Sequence, residues 1–117
     1  MADFVSLLAN ACVEGATVSL DHRDLPLARI VSGSPRVASA ELGRLGDRAI
    51  GVWEHTVGAS TDIEVDEFFI VLSGAARVDF DDGSRPLLLH AGSIGRLAAG
   101  SATTWTVTAT LRKIYMA

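Results

Sequence analysis

From Arg36 to Met116 the chain is a succession of short β-forming runs broken at near-regular intervals by turn residues, and this rhythm constrains the fold more than any other feature. The runs are Val37 to Leu42, Ala49 to Val57, Thr61 to Val65, Phe68 to Leu72, Ala76 to Phe80, Pro86 to His90, Ser93 to Leu97, Thr103 to Ala109 and Leu111 to Met116. Between them stand Gly43 to Asp47, Gly58-Ala59, Ser73-Gly74, Asp81 to Ser84, Ala91-Gly92 and Ala99-Gly100. Short strands at this spacing predict a sandwich or barrel. Asp82-Gly83 is the best hairpin signal, because both residues tolerate positive φ.

Before Arg36 the pattern is different, and residues 1–35 read as an arm packed on a barrel of residues 36–117, one domain in all. Phe4, Val5, Leu7, Leu8, Ala11 and Cys12 follow one helical face, which predicts a short leading helix with Asp3 as N-cap and Gly15 as its stop. Val18 to Leu20 and Leu27 to Val31 are short apolar pieces divided by Pro26, and Ser32-Gly33-Ser34-Pro35 punctuates the approach to the barrel.

Composition excludes several classes of function. A chain of 117 residues with 49% hydrophobic and 21% charged residues buries a core without needing a staple. The net charge of −4, with basic residues scattered rather than clustered, argues against a nucleic-acid partner. The single cysteine, Cys12, cannot form an internal disulfide and is expected to be a buried small hydrophobe. Without a charged, signal-like start or an apolar run of about 18 residues, the expectation is a cytoplasmic protein with no membrane partner.

Strand periodicity assigns faces. Trp53, His55 and Val57 share one side of their run, and Val52, Glu54 and Thr56 the other. Phe68 to Leu72 is apolar on both sides, so both must be covered. One side fills the barrel; the other is expected to meet the arm or a second subunit, which predicts a homodimer.

The segments Gly51 to Gly74 and Gly92 to Trp105 resemble the two motifs of the cupin superfamily. Glu67-Phe-Phe-Ile-Val-Leu-Ser-Gly74 is similar to the close of the first motif, and Gly92 through Gly100 keeps the glycine spacing of the second. Gly51-Val-Trp53-Glu54, Asp66-Glu67, Ser73-Gly74, Asp82-Gly83 and Arg112-Lys113-Ile-Tyr115 together resemble the short cupins similar to the ureidoglycine aminohydrolase cupin domain. The resemblance implies an all-β, RmlC-like cupin jelly-roll barrel. It also implies a metal centre of two His, a Glu and a third His. Here Ser60 and Asp62 stand where the first two His belong, Glu67 is kept, Thr103 replaces the final His, and Ser93 and Ala98 replace the usual Asp and Pro.

Two readings of the chemistry stay open. His55, Asp62 and Glu67 are the remaining donors for a divalent metal; otherwise His55 is a hydrogen-bonded barrel histidine. Glu67 is either an acid or base in a pocket, with His55 assisting, or the structural partner of a basic residue such as Arg96 or Lys113. Trp53, Asp62, Phe69, Thr103, Trp105 and Tyr115 are the expected pocket residues for a small-molecule ligand. His22 is expected on the exposed arm and His90 at a solvent-facing turn. No Gly-x-Ser-x-Gly elbow, phosphate loop or cysteine pair is present. The function is thus expected to be either an aminohydrolase-like activity on a small polar metabolite or non-catalytic binding in a barrel whose metal centre has degenerated.

Overall fold

The computed structural model describes the backbone at residues 3–4 and the chain from 7 to 117. It is all-β, as the punctuated runs require, and its strands are β1 (Asp3–Phe4), β2 (Arg23–Asp24), β3 (Ile30–Gly33), β4 (Arg36–Leu45), β5 (Arg48–His55), β6 (Gly58–Ile63), β7 (Glu67–Phe80), β8 (Leu87–His90), β9 (Ile94–Leu97) and β10 (Ala102–Met116). One 3-10 turn, Leu27–Arg29, leads into β3. These strands form a single ten-stranded sheet curled into a jelly-roll barrel. Strand β10 is its spine: it pairs antiparallel with β5, β6 and β7. No helix among the described residues is long and apolar enough to cross a membrane.

Four expected runs are in fact two long strands. Phe68 to Leu72 and Ala76 to Phe80 fuse into β7, and Thr103 to Ala109 and Leu111 to Met116 fuse into β10. Ser73-Gly74 therefore lies inside β7, at an irregular stretch where two residues of β10 between Ala109 and Arg112 face Gly74 alone and Leu72 is the extra residue of β7. Gly74 has φ +95°, and a Cβ there would lie 2.1 Å from the carbonyl oxygen of Thr110. An extra residue at such a point bends the strand and lets one continuous segment serve both sides of the barrel. The Asp82-Gly83 turn forms where expected, with Gly83 at φ +79° and its N–H donating to Phe80.

The leading helix does not form in the described part of Phe4 to Cys12; Val5 and the side chains of Asp3 and Phe4 lie outside the described residues. Strand β1 instead runs parallel to β4, and the Leu7 N–H donates to the Leu42 carbonyl at 3.0 Å. A helix of this length is marginal alone, whereas the edge of β4 offers backbone partners. Without a helix to turn it inward, Cys12 is exposed, contrary to the buried position expected.

The core contains Phe69, Val71, Val78, Leu97, Trp105, Val107 and Leu111, all at least 97% buried. The opposite face of β5 and β10 is sealed by the arm. Arg112 donates from Nε to Glu54 at 2.9 Å and from Nη1 to the carbonyls of Gly15 and Val18 at 3.0 and 2.8 Å. His22 Nε2 contacts the other oxygen of Glu54, so this residue is half-buried at the seam rather than exposed on a free arm. Gly15 lies against Leu72 and Ile114. The arm covers only part of the second apolar face of β7, and Phe68 and Ile70 stay about half exposed.

Two substitutions check this account. Gly74→Ala is expected to destabilise the fold by about 3 kcal/mol or more, seen as a lower urea midpoint with an unchanged slope. Arg112→Ala strips Glu54 and two arm carbonyls of their cation and should cost about 3–5 kcal/mol. Limited proteolysis of this variant should cut first between residues 9 and 22, and a protease pattern identical to wild type would contradict the latch.

Candidate functional site

Inner positions of four strands converge at one end of the barrel. On β5 these are Trp53 and His55, on β6 Ser60 and Asp62, on β7 Glu67, and on β10 Trp105 and Lys113. Period two explains the selection: register pairs Lys113 with Trp53, and Trp105 with Ser60, so each pair shares a face. Together with Glu64 after β6 and Arg29 from the 3-10 turn, they enclose a cavity of about 300 Å³.

Lys113 lines it from β10. Its Nζ donates to Glu67 Oε2 at 2.8 Å and lies 4.5, 4.7 and 4.9 Å from the ring centroids of Trp53, Phe69 and Trp105. The side chains of Lys113 and Glu67 are only 5% and 11% exposed, so the pair is screened little by water. Of the basic partners expected for Glu67, Lys113 is the one that binds it, while Arg96 stacks over the ring of Phe68 on the outer face. Burial raises the Glu67 pKa above the usual carboxylate value, against the opposing pull of Lys113; Glu64 and Asp62 add to the rise.

The other carboxylates are held separately. Glu64 Oε2 accepts from Thr103 Oγ1 at 2.6 Å and from Trp105 Nε1 at 2.9 Å, which fixes both the carboxylate and the indole. Asp62 faces the Arg29 guanidinium at 3.5 Å, and Arg29 is itself anchored through Nε to the Thr61 carbonyl at 2.9 Å. Every buried side-chain nitrogen and oxygen among the described residues has a partner.

His55 is a neutral, fully bonded ring. The Thr56 carbonyl, 2.6 Å from Nδ1, can only accept, so Nδ1 carries the proton and Nε2 accepts from the Ser60 hydroxyl at 2.8 Å. Burial depresses its pKa below 6.5, the Thr56 bond opposes this, and nearby Arg29 lowers it further. With Nε2 engaged by Ser60, and Glu67 held by an ammonium ion, His55, Asp62 and Glu67 do not assemble into a metal set. No group of three or more His, Cys, Asp or Glu among the described residues is arranged to hold a metal ion. The donors present therefore do not fit the metal centre that the resemblance implied.

Of the expected pocket residues, Trp53, Asp62 and Trp105 line the cavity, as do His55 and Glu67. Phe69 and Thr103 sit behind that lining, the first under the Lys113 ammonium and the second behind Glu64. Tyr115 packs on the core beside Gly51, where any Cβ would meet its hydroxyl at 2.4 Å. His90 is exposed, its Nδ1 contacting the Ala91 carbonyl. Arg29, Glu64 and Lys113 are the charged lining residues that the pocket reading of the sequence did not include, and Leu25, Val37, Ser60, Ile63 and Val65 complete the wall. Lys113 carried a signal, since it alternates with Leu111 and Tyr115; Arg29 carried none, because its place depends on how the arm folds over the mouth.

The state of His55 gives a pH prediction. Its pKa is lower folded than unfolded, so between that lowered value and 6.5 the unfolded chain binds more protons. The His55 contribution to stability is thus present above pH 6.5 and is lost as pH falls through the folded pKa. Thermal melts should show a fall on acidification below pH 6.5 that is shallower in His55→Asn; parallel profiles would count against a buried neutral ring.

The model of the EutQ-like cupin domain matches residues 42–115. Among solved structures, a protein of unknown function of the DUF861 family from Pseudomonas syringae pv. tomato is similar with a TM-score of 0.72 at 23% identity. That match covers 85% of this chain and 44% of the other, so the chain spans less than half of that protein's length. The EutQ protein of Clostridium difficile is similar at a TM-score of 0.60 and 21% identity, covering 70% and 67% of the two chains. A cupin-2 domain containing protein from Shewanella frigidimarina gives 0.57 at 16% identity, covering 68% and 78%. At such identities these likenesses speak to the fold. No curated protein matches the chain. The family model spans the strands that carry Trp53, Glu67 and Lys113, and the chain belongs to the EutQ-like cupin domain family of the cupin superfamily.

Proposed function

We propose that this cupin binds a small polar metabolite inside its barrel, one that presents both oxygen acceptors and N–H donors. The observation that carries this reading is the cavity of about 300 Å³ in which Arg29 and Lys113 face Asp62, Glu64 and Glu67 between two indole rings. The five charged groups come from three stretches of chain, at Arg29, from Asp62 to Glu67 and at Lys113, and such convergence of a few polar groups beside aromatic walls is the usual make-up of a small-ligand site. Each charge is already oriented by a protein partner, so little ordering is left to oppose binding. Indole walls restrict the occupant to a flat or short molecule.

A second reading, an aminohydrolase-like enzyme, is favoured by one observation. Glu67 is a buried carboxyl with a raised pKa at the cavity wall, which suits proton transfer to a leaving nitrogen.

One experiment separates the two. Urea, acetamide, glycine and malonate are screened by thermal shift and then calorimetry, with ammonia release followed in parallel on the two amides. The binding reading expects a saturable stabilisation by at least one probe, weakened about tenfold or more in Glu67→Gln, where a charge-assisted hydrogen bond is lost. It is rejected if none of the four stabilises the protein at millimolar concentration. Ammonia release that disappears in Glu67→Gln would establish the enzyme instead.

A further inference from the structure

The Lys113 ammonium is nearly buried and lies over three aromatic rings with one carboxylate in hydrogen-bond contact. Trp53 and Trp105 stand 5.4 Å apart by centroid, and Phe69 and Trp105 6.3 Å, so the rings form one contiguous wall. Aromatic faces carry negative potential, and a cation within about 6 Å of several of them, desolvated, is held more strongly than at a surface. A carboxylate opposite completes the recognition chemistry of an ammonium group.

We infer that the wall of this cavity holds an ammonium-binding site, formed by Trp53, Phe69, Trp105 and Glu67, whose resident occupant is the tethered side chain of Lys113. The role of that occupant is to position Glu67. It fixes one oxygen of the carboxylate by a hydrogen bond and supplies a positive charge beside it. The cage is complete within the chain, whichever metabolite enters the cavity.

The site can be emptied and refilled. Lys113→Ala removes three methylene groups and the ammonium, and n-propylammonium replaces those atoms. Titrating the variant with n-propylammonium should raise its melting temperature saturably, by the amount that mass action gives for a native-state ligand. 1-Propanol, similar in size but uncharged, should give a much smaller shift, and the double variant Lys113→Ala/Glu67→Gln should lose the response to the amine. Wild type, with the cage filled, should not respond. Carbon-13 NMR of the Glu67 carboxyl supplies a readout that simple cavity filling would not move: its titration should shift to higher pH in Lys113→Ala and return with the amine.

Equal rescue by 1-propanol, rescue that survives loss of Glu67, or a folded Lys113→Ala that ignores the amine would each overturn the inference. If Lys113→Ala does not fold, Lys113→Met keeps the volume without the charge. That variant should be less stable than wild type and show the upward shift of the Glu67 titration; an unchanged titration would refute the cage.

Discussion

The barrel depends on two neighbouring cations that point in opposite directions. Arg112 and Lys113 are consecutive on β10, and the strand turns one outward and the other inward. Each meets one glutamate: Arg112 meets Glu54 under the arm, and Lys113 meets Glu67 inside the cavity. A charge in such surroundings is tolerable only with its partner in place, so these pairs tolerate no alternative register. Sliding β10 by one residue would bury each cation against the wrong face. Hydrophobic residues fill the barrel, but it is these two pairs that distinguish its inside from its outside.

The same arrangement separates the cavity chemistry from that of a metal-binding cupin. The position opposite Glu67 is taken by an ammonium group belonging to the chain itself, and the ring of His55 is turned to a serine and a backbone carbonyl. What remains is a preorganised set of charges with no open coordination position. Glu64 contributes in a quieter way, since its two hydrogen bonds hold Trp105 at the angle that completes the aromatic wall.

The sequence revealed most where physics is local and periodic. Alternation of side chains along β5 and β7 alone places Trp53 and His55 together and sets Phe69 opposite Phe68. It failed where one residue type serves two conformations. Gly74 looks like the end of a strand because glycine adopts positive φ in turns and in bulges alike, and only the pairing with β10 decides between them. The helical spacing from Phe4 to Cys12 was equally ambiguous, because the edge of β4 could satisfy the same backbone by pairing. Arg29 and Glu64 carry no periodic signal, because both sit outside regular strands and their positions are set by tertiary packing.

One consequence concerns how the molecule is made. The strand to which β5, β6 and β7 all attach is the last of the ten in chain order. During synthesis those three strands emerge with unpaired edges, and Glu54 and Glu67 emerge without their cations. Closure waits until residues 102–116 are free to move, whatever precedes them in time. A nascent chain of this design therefore passes through an interval in which apolar strands with open edges are available to other chains, and crowding or slow translation of residues 102–116 would lengthen that exposure.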